Sequence, residues 1–448
     1  MNLTDIVNEV AKRVKNILGL KNTLESIGIK SAASNEMTAA ITKWSTMYKQ
    51  KGLALPAAIA SEMARLVTLE MKSKVTGSSR ADYLNKEYNK VISKIRTICE
   101  YAAAKGGVMF KPYVTGGGIT IDAVQAENFI PTKFDVSGNI TAVAFLSRIY
   151  KEKKIYTRIE HHDYNEETYQ ITNMAFVSNE TATLGKKIPL SEVSEWAEIE
   201  PYIEIKKAYA PLFAYFKMPM ANTVDEESPL GVSVYAKAAD LIGDANKQYE
   251  RFLWEYESGE RALYVAEEAF KRDANGNRTL PDKRLYRLLS QEDDSLFEEW
   301  TPTLREEELI SGLNDILRKI EFASGLAYGT LSDVRDVDKT AEEIKTSKQR
   351  SYATVTEIQT GLKNALLELV KSMDVLCDLY ELAPSGEYSV SFDFDDSIIA
   401  DRKTEFEEKM RLLTAGIMQP WEFRAWYFGE DEKTAKQSVT LADLEPEE

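Results

Sequence analysis

The sequence predicts an α+β protein whose helices are longer than one globular core requires. Two observations carry this. Apolar residues recur three or four apart over the first hundred positions and again after Ser228, while from Val108 to about Glu200 the period falls to about two. Two of the helical stripes also run well past the usual ~10–14 residues. One starts near Pro229 and the other ends at Tyr380.

In the N-terminal part, Asp5–Ile17 places Ile6, Val10, Val14 and Ile17 on one face. Pro56–Met71 reads as a second helix, opened by a proline where its missing N–H costs nothing. A third is predicted over Asp82–Ala104, with Tyr88, Val91, Ile92, Ile95 and Cys99 inward and Gly106–Gly107 as its stop. Strands follow at Val108–Tyr113, Ile119–Val124, Ile140–Phe145, Ile155–His161 and Thr168–Phe176. The separators Gly116–Gly117–Gly118, Ser137–Gly138–Asn139 and Tyr164–Asn165–Glu166–Glu167 have turn chemistry, so this region reads as an antiparallel meander.

Beyond the irregular aromatic stretch Pro211–Asp225, Ser228–Pro229 has the form of a helix cap. The stripe Tyr235, Ala238, Ile242, Ala245, Tyr249, Phe252 and Tyr256 then predicts a helix of about 28 residues, roughly 42 Å long, closed by Gly259. A short insert carries strands at Ala262–Val265 and Lys283–Leu289, with a turn at Asp273, Ala274, Asn275, Gly276 and Asn277 between them. Helix returns near Thr303, which forms a candidate capping box with Glu306, and its stripe is Leu309, Leu313, Ile316, Ile320 and Ala323. The polar loop Thr330–Lys339 precedes a second box, Thr340 with Glu343, and a helix of about 40 residues, roughly 60 Å, bent at Gly361. A strand at Tyr388–Phe394, a helix at Arg402–Leu413, a turn from Gly416 to Pro420 and a short aromatic helix Trp421–Phe428 complete the order. The tail Gln437–Glu448 has few apolar anchors and reads as flexible.

The 448 residues carry a formal charge of −16 from 56 basic and 72 acidic side chains, which argues against gripping nucleic acid by charge neutralisation. Cys99 and Cys377 sit in helical stripes and read as buried thiols of a reducing compartment. Met1–Ile6 lacks the basic run and apolar core of a signal peptide, and no apolar run approaches a bilayer span, so assembly in cytoplasm without a membrane is expected.

Catalytic constellations are sparse. His161 and His162 are neighbours in a strand, point to opposite faces, and read as turn or sheet-edge residues rather than metal ligands. Gly116–Gly118 lacks the lysine and hydroxyl of a phosphate loop and reads as a hairpin turn. Asp393 and Asp395 lie on one strand face and with Asp396 could chelate Mg²⁺, but Phe392 and Phe394 opposite them give the pattern of any half-buried strand. No cofactor is expected.

Four segments, taken in order, resemble bacteriophage portal proteins of tailed phages and prophages of Gram-positive bacteria: Arg158–His162, Pro211–Lys217, Ser228–Tyr235 and, more weakly, Gly416–Arg424. The likeness extends from Met1 to about Lys436. It implies a portal-type fold, a helical and β-rich wing, two long stem helices flanking a small α/β clip, a tunnel loop, a long wing helix and a short helical crown. On this chain the resemblance puts the wing at 1–227, the stem helices at 228–258 and 301–329, and the clip at 259–300. It puts the tunnel loop at 330–339, the long helix and C-terminal wing strand at 340–400, the crown at 401–436 and the tail at 437–448.

The resemblance further implies a structural subunit, not an enzyme, in a ring of about twelve at one capsid vertex. Double-stranded DNA passes through that ring without sequence-specific binding. The implied partners are terminase, major capsid and scaffold proteins, and a head-tail connector, and the implied location is the virion. The tunnel loop would consist of Thr330, Leu331, Ser332, Asp333, Val334, Arg335, Asp336, Val337, Asp338 and Lys339. The clip turn would include Asp273, Asn275, Gly276 and Asn277. The alternatives are another connector or scaffold subunit, a Mg²⁺-dependent nuclease using Asp393 and Asp395, and a surface adhesin, the last disfavoured by the missing export signal.

Overall fold

The computed structural model describes residues 11–14, 19, 21–22, 24–165, 168–181, 183–206, 208–259, 262–265, 286–288, 297–300, 303–333, 341–394, 402–428 and 432–442. Two units are present: Met1–Thr68 with Ser73–Phe392, and Leu69–Lys72 with Asp393–Glu448.

In the first unit, residues 11–14 of the expected Asp5–Ile17 helix are helical and most of the rest lie outside the described residues. Helix α1, Asn35–Tyr48, was not legible as a stripe. Its buried face includes Thr42, Ser45 and Thr46 beside Met37, Trp44 and Met47. The hydroxyls of Thr38, Thr42 and Thr46 each donate to the carbonyl four residues back, at 2.8 Å, so a face that looks polar in sequence is satisfied internally and can be buried. Helix α2, Leu55–Val67, has its proline in the first turn as expected but stops short of Met71. Glu70 takes a left-handed φ of 51° and the chain enters strand β1, Lys72–Gly77.

The single helix expected over Asp82–Ala104 is two, α3 Ser79–Ile92 and α4 Ile95–Lys105. Ser93 Oγ donates to Lys90 O at 2.9 Å and Lys94 N to Val91 O at 2.9 Å, which ends the first helix. Val91, Ile95 and Ile98 are buried on both sides of the break, so the apolar period passes through it unmarked. Cys99 and Cys377 are both buried, as expected.

The expected meander is two sheets. Strands β2 (Gly107–Thr115) and β3 (Gly118–Gln125) form a hairpin whose two turn residues, Gly116 and Gly117, have φ of 59° and 80°. Two successive positive φ values define the tight turn that matches strand twist, which settles these glycines as a hairpin turn. Strand β10, Ala214–Lys217, flanks β2 in this sheet. The second sheet runs β4 (Phe129–Phe134), β5 (Ile140–Lys151), β6 (Lys154–Asn165), β7 (Thr168–Ser178) and β8 (Lys186–Ile188), with β9 (Tyr202–Lys206) also on β7. Ala144, Ile159 and Phe176 from three strands pack with Leu24, Ile29 and Leu184 on one of its faces.

The largest departure follows Ser228. No helix starts there; a 3₁₀ turn at Ala236–Ala238 leads into α5, Ala239–Ser258, which is 20 residues or about 30 Å long. Leu230 to Tyr235 instead crosses the core, with Leu230, Val232, Ser233, Val234 and Tyr235 all buried. It is pinned by backbone: Val234 N donates to Ala103 O at 2.9 Å, and Gly231 N to Tyr215 Oη at 3.2 Å. A Cβ on Gly231 would lie 2.1 Å from Gly106 O, so two chains cross at glycines. A segment buried on all sides has no solvent face to give to an amphipathic helix, and the capping signal loses to that burial.

Strands β11 (Ala262–Val265), β12 (Tyr286–Leu288) and β13 (Phe297–Trp300) form a small sheet in the order β12-β11-β13. The first two strands pair in parallel, and β11 pairs antiparallel with β13. The turn residues Asp273, Asn275, Gly276 and Asn277 lie outside the described residues.

Helix α6, Glu306–Ala323, is followed after the loop by α7, Ala341–Leu379, which is 39 residues long. At Gly361 the helix comes close to β10, since a Cβ there would sit 3.3 Å from Lys217 O. The end of α7 is tied to α3 by buried Arg80, whose guanidinium reaches Asp374, Asp378 and the Pro384 carbonyl. Strand β14, Tyr388–Asp393, pairs with β1; Ser73 Oγ donates to Ser391 O and Ser78 Oγ to Glu387 O.

The second unit holds α8 (Arg402–Thr414), a turn at Gly416 with φ 72°, α9 (Pro420–Phe428) and α10 (Glu432–Ala442). The tail expected to be flexible from Gln437 is helical to Ala442. Ala435 is fully buried and Lys436 Nζ lies 4.3 Å from the Trp421 ring centroid, anchors that a scan for large apolar residues passes over. Residues 443–448 lie outside the described residues.

Candidate functional site

The two helices that flank the small sheet, α5 and α6, pack against each other. Residues near the end of α5 bond residues at the start of α6, so the helices run past each other in opposite directions. Glu255 on α5 accepts from Arg305 Nε at 3.1 Å, Nη2 at 2.8 Å and backbone N at 3.2 Å. Tyr256 Oη donates to Glu306 at 2.7 Å, and Gln248 Nε2 to Leu309 O at 3.4 Å. Arg305 is the N-cap of α6, so the expected box of Thr303 with Glu306 is not what caps it; the neighbouring helix supplies the acceptor instead. Three glutamates, Glu306 to Glu308, occupy the first turn, where the helix dipole favours negative charge.

This pair leaves much of its apolar surface uncovered. In α5 only Ile242, Ala245 and Glu255 are buried, and in α6 only Asn314, Ile320 and Glu321. Trp254 is 61% exposed and Phe322 66%, with Leu253, Tyr256 and Ile310 also exposed. These exposed apolar groups are spread along both helices. The ladder Tyr249, Phe252 and Tyr256, with centroids 6.4 and 5.0 Å apart, stiffens the same stretch.

Helix α6 ends in a glycine-terminated turn. Gly325 has φ 71°, Leu326 N donates to Glu321 O at 2.9 Å and Gly325 N to Phe322 O at 3.4 Å, while Leu326 is fully buried. The Glu321 side chain turns the other way, into the first residues of the expected loop. Its Oε1 accepts from Leu331 N at 2.6 Å and Ser332 N at 2.8 Å; Oε2 accepts from Ser332 Oγ at 2.9 Å and Gly329 N at 3.3 Å. One helical face further back, Asn314 Oδ1 accepts from Asp333 N at 2.7 Å and its Nδ2 donates to Asp333 O at 3.0 Å. Thr330 is exposed, with its hydroxyl on Ala327 O at 2.6 Å. Val334, Arg335, Asp336, Val337, Asp338 and Lys339 lie outside the described residues, as does Thr340 of the second capping box.

Glu321 and Asn314 were missed in the sequence. They are seven apart, two turns on one face, beside the apolar stripe that includes Leu313 and Ile320. A carboxylate and an amide at that spacing next to an apolar stripe is the signal that was present.

The histidines are placed differently from expectation. Strand β6 is interior to its sheet, so His161 and His162 are at neither a turn nor an edge. They do face apart: His161 Nε2 meets Thr132 Oγ1 at 2.9 Å, whereas buried His162 contacts Tyr169 Oη and, at 2.9 Å, Glu160. Glu160 also accepts from Lys111 at 2.8 Å and Arg158 at 2.9 Å. Asp393 is exposed at the end of β14; Asp395 and Asp396 lie outside the described residues. No group of three or more His, Cys, Asp or Glu among the described residues could hold a metal ion. No helix among them is long and apolar enough to cross a membrane.

The profile of the family described as "Phage portal protein, SPP1 Gp6-like" matches residues 65–441. The chain belongs to this family. It is thus a phage portal protein, a structural component of the virion and not an enzyme, which removes the nuclease reading of Asp393 and Asp395. No curated protein sequence matches the portal chain. Among solved structures, a chain of the "Neck of native GTA particle computed with C12 symmetry" is similar at 11% identity over 84% of this chain and 89% of that one, with a TM-score of 0.38, a likeness too loose to argue from.

Proposed function

We propose that this portal subunit closes with copies of itself into a ring, about twelve in the particle, that forms the conduit for double-stranded DNA at one capsid vertex during packaging and ejection. The observation that carries the reading, beside family membership, is the α5–α6 pair with its uncovered apolar face: a heterologous contact repeated around an axis makes a ring when its rotation closes. In this reading α5 and α6 are the stem, the sheet β11–β13 belongs to a clip spanning 259–300, and the wing is built from 1–227 with α7 and β14. The crown is 401–436, and Thr330–Lys339 is the tunnel loop. The clip turn around Asp273, Asn275, Gly276 and Asn277 faces terminase and later the head-tail connector, while the wing meets major capsid and scaffold proteins. The motif likeness is the support for assigning the particle to phages or prophages of Gram-positive bacteria.

The acidic chain suits passage. Basic charge at the channel wall would be multiplied by the ring, but in the loop Arg335 and Lys339 are offset by Asp333, Asp336 and Asp338, and the chain's net charge of −16 adds no grip on the phosphate backbone. The test is the DNA content of particles whose loop is shortened from Val334 to Val337 into two glycines, with ring incorporation verified. Impaired packaging or retention is expected; full-length DNA, normally retained, would remove the loop from the channel.

A further inference from the structure

We infer that Glu321 and Asn314 are positioning residues that clamp the start of the Thr330–Lys339 loop onto the last turns of α6, so that the loop's origin moves with this helix. The inference rests on the tunnel-loop reading for its consequence, but the clamp stands on geometry alone.

Glu321 organises two turns at once. Its carbonyl accepts the Leu326 N–H that closes the helix, and its carboxylate accepts four donors from Gly329, Leu331 and Ser332. All four donors are neutral and three of them are backbone amides, so those three bonds depend on the path of the chain and only the Ser332 hydroxyl bond on a loop side chain. Glu321 is 1% exposed and Asn314 5%, so water cannot substitute when either is removed. Asn314 pairs with both the N–H and the C=O of Asp333, as a strand neighbour would. Four residues, Gly329, Leu331, Ser332 and Asp333, are thereby referenced to one helix. Gly325 lies against Thr354 of α7, where a Cβ would come within 2.9 Å of Oγ1, so the clamped turn also abuts the next long helix. A displacement of α6 along its axis is delivered to the loop without slack.

The test is amide hydrogen exchange on the assembled protein, comparing wild type with E321Q. Glutamine keeps the size but presents an NH₂ where Gly329 N and Ser332 Oγ need an acceptor. Exchange at Gly329, whose acceptor is lost, should quicken by about tenfold or more, and at Leu331 and Ser332, which keep only an uncharged and weaker acceptor, by a smaller factor, with exchange along 310–319 and ring size unchanged. Unchanged exchange at these amides would overturn the inference, and so would an equal loss of protection throughout α6, which would mean a general fold defect. If E321Q fails to assemble, N314A decides the matter at Asp333, where faster exchange supports the clamp and unchanged exchange removes it. DNA retention in E321Q particles separates the two readings. Quickened exchange with impaired retention supports both; quickened exchange with normal retention keeps the clamp and removes its role in the channel.

Discussion

His162 shows how a single buried group ties the larger β-sheet to pH. Burial holds it below its ordinary value of 6.5, against the pull of Glu160 towards protonation, with Lys111 and Arg158 adding to the depression. Burial likewise lowers His161. Burial opposes ionisation of Glu160 too, but the His162 hydrogen bond and the Lys111 and Arg158 charges outweigh it and keep this carboxylate far below the usual range. All three groups have depressed folded-state values, so each takes up its proton more readily in the unfolded chain. Their stability contributions are full above the unfolded values and are lost as pH falls through the folded ones. The melting temperature should therefore drop as pH goes from about 6.5 to 5, and further below about 4.5 as Glu160 is engaged. H162Q should make the first decline shallower, with His161 supplying what remains. Identical slopes in wild type and H162Q would assign the decline elsewhere. Arg80 makes the complementary case: R80M should cost about 2 kcal/mol or more, because a guanidinium only 2% exposed loses Asp374, Asp378 and the Pro384 carbonyl together. Chemical denaturation checks this, and a loss under about 0.5 kcal/mol would mean that α7 is held by packing alone.

Among the elements, those with a strong local signal were legible. Strand β6 alternates in burial from Ile155 to Ile159, β2, β3, β5 and β7 stand out as β-rich runs between turn residues although their burial does not alternate strictly, and α7 was found because Val355, Ile358, Leu362, Leu369 and Met373 face one core. Elements decided by distant partners were not. Strand β10 is four residues in an aromatic stretch, and β13 carries Glu298 and Glu299, so neither shows its pairing locally. The Ser228–Pro229 cap misled because Gly231 and Gly106 bring two backbones together, a long-range event no local propensity reports. That crossing makes a prediction. G231A puts a Cβ 2.1 Å from Gly106 O, where only backbone can give way, and should destabilise by about 3 kcal/mol or prevent soluble expression. A melting temperature within about 2 °C of wild type would contradict the crossing. The loop clamp was half legible: the polar loop stands out in composition, whereas Glu321 reads as one more surface glutamate until Leu331 and Ser332 are seen to turn back onto it.

At the scale of the whole molecule, the chain is explained better as one of several copies than alone. Trp254 and Phe322 are more exposed than half, and a monomer gains nothing from keeping them in water. Family membership gives the role, and the proposed ring assigns these exposed groups a partner. The most direct test is imaging of the purified protein by electron microscopy, with mass measured in parallel at micromolar concentration and moderate salt. Rings with a central hole and a single rotational order are predicted, and W254D with F322D together should reduce them to monomers without unfolding the subunit. A wild-type protein that stays monomeric under these conditions, or that forms compact assemblies with no axial channel, would contradict the account.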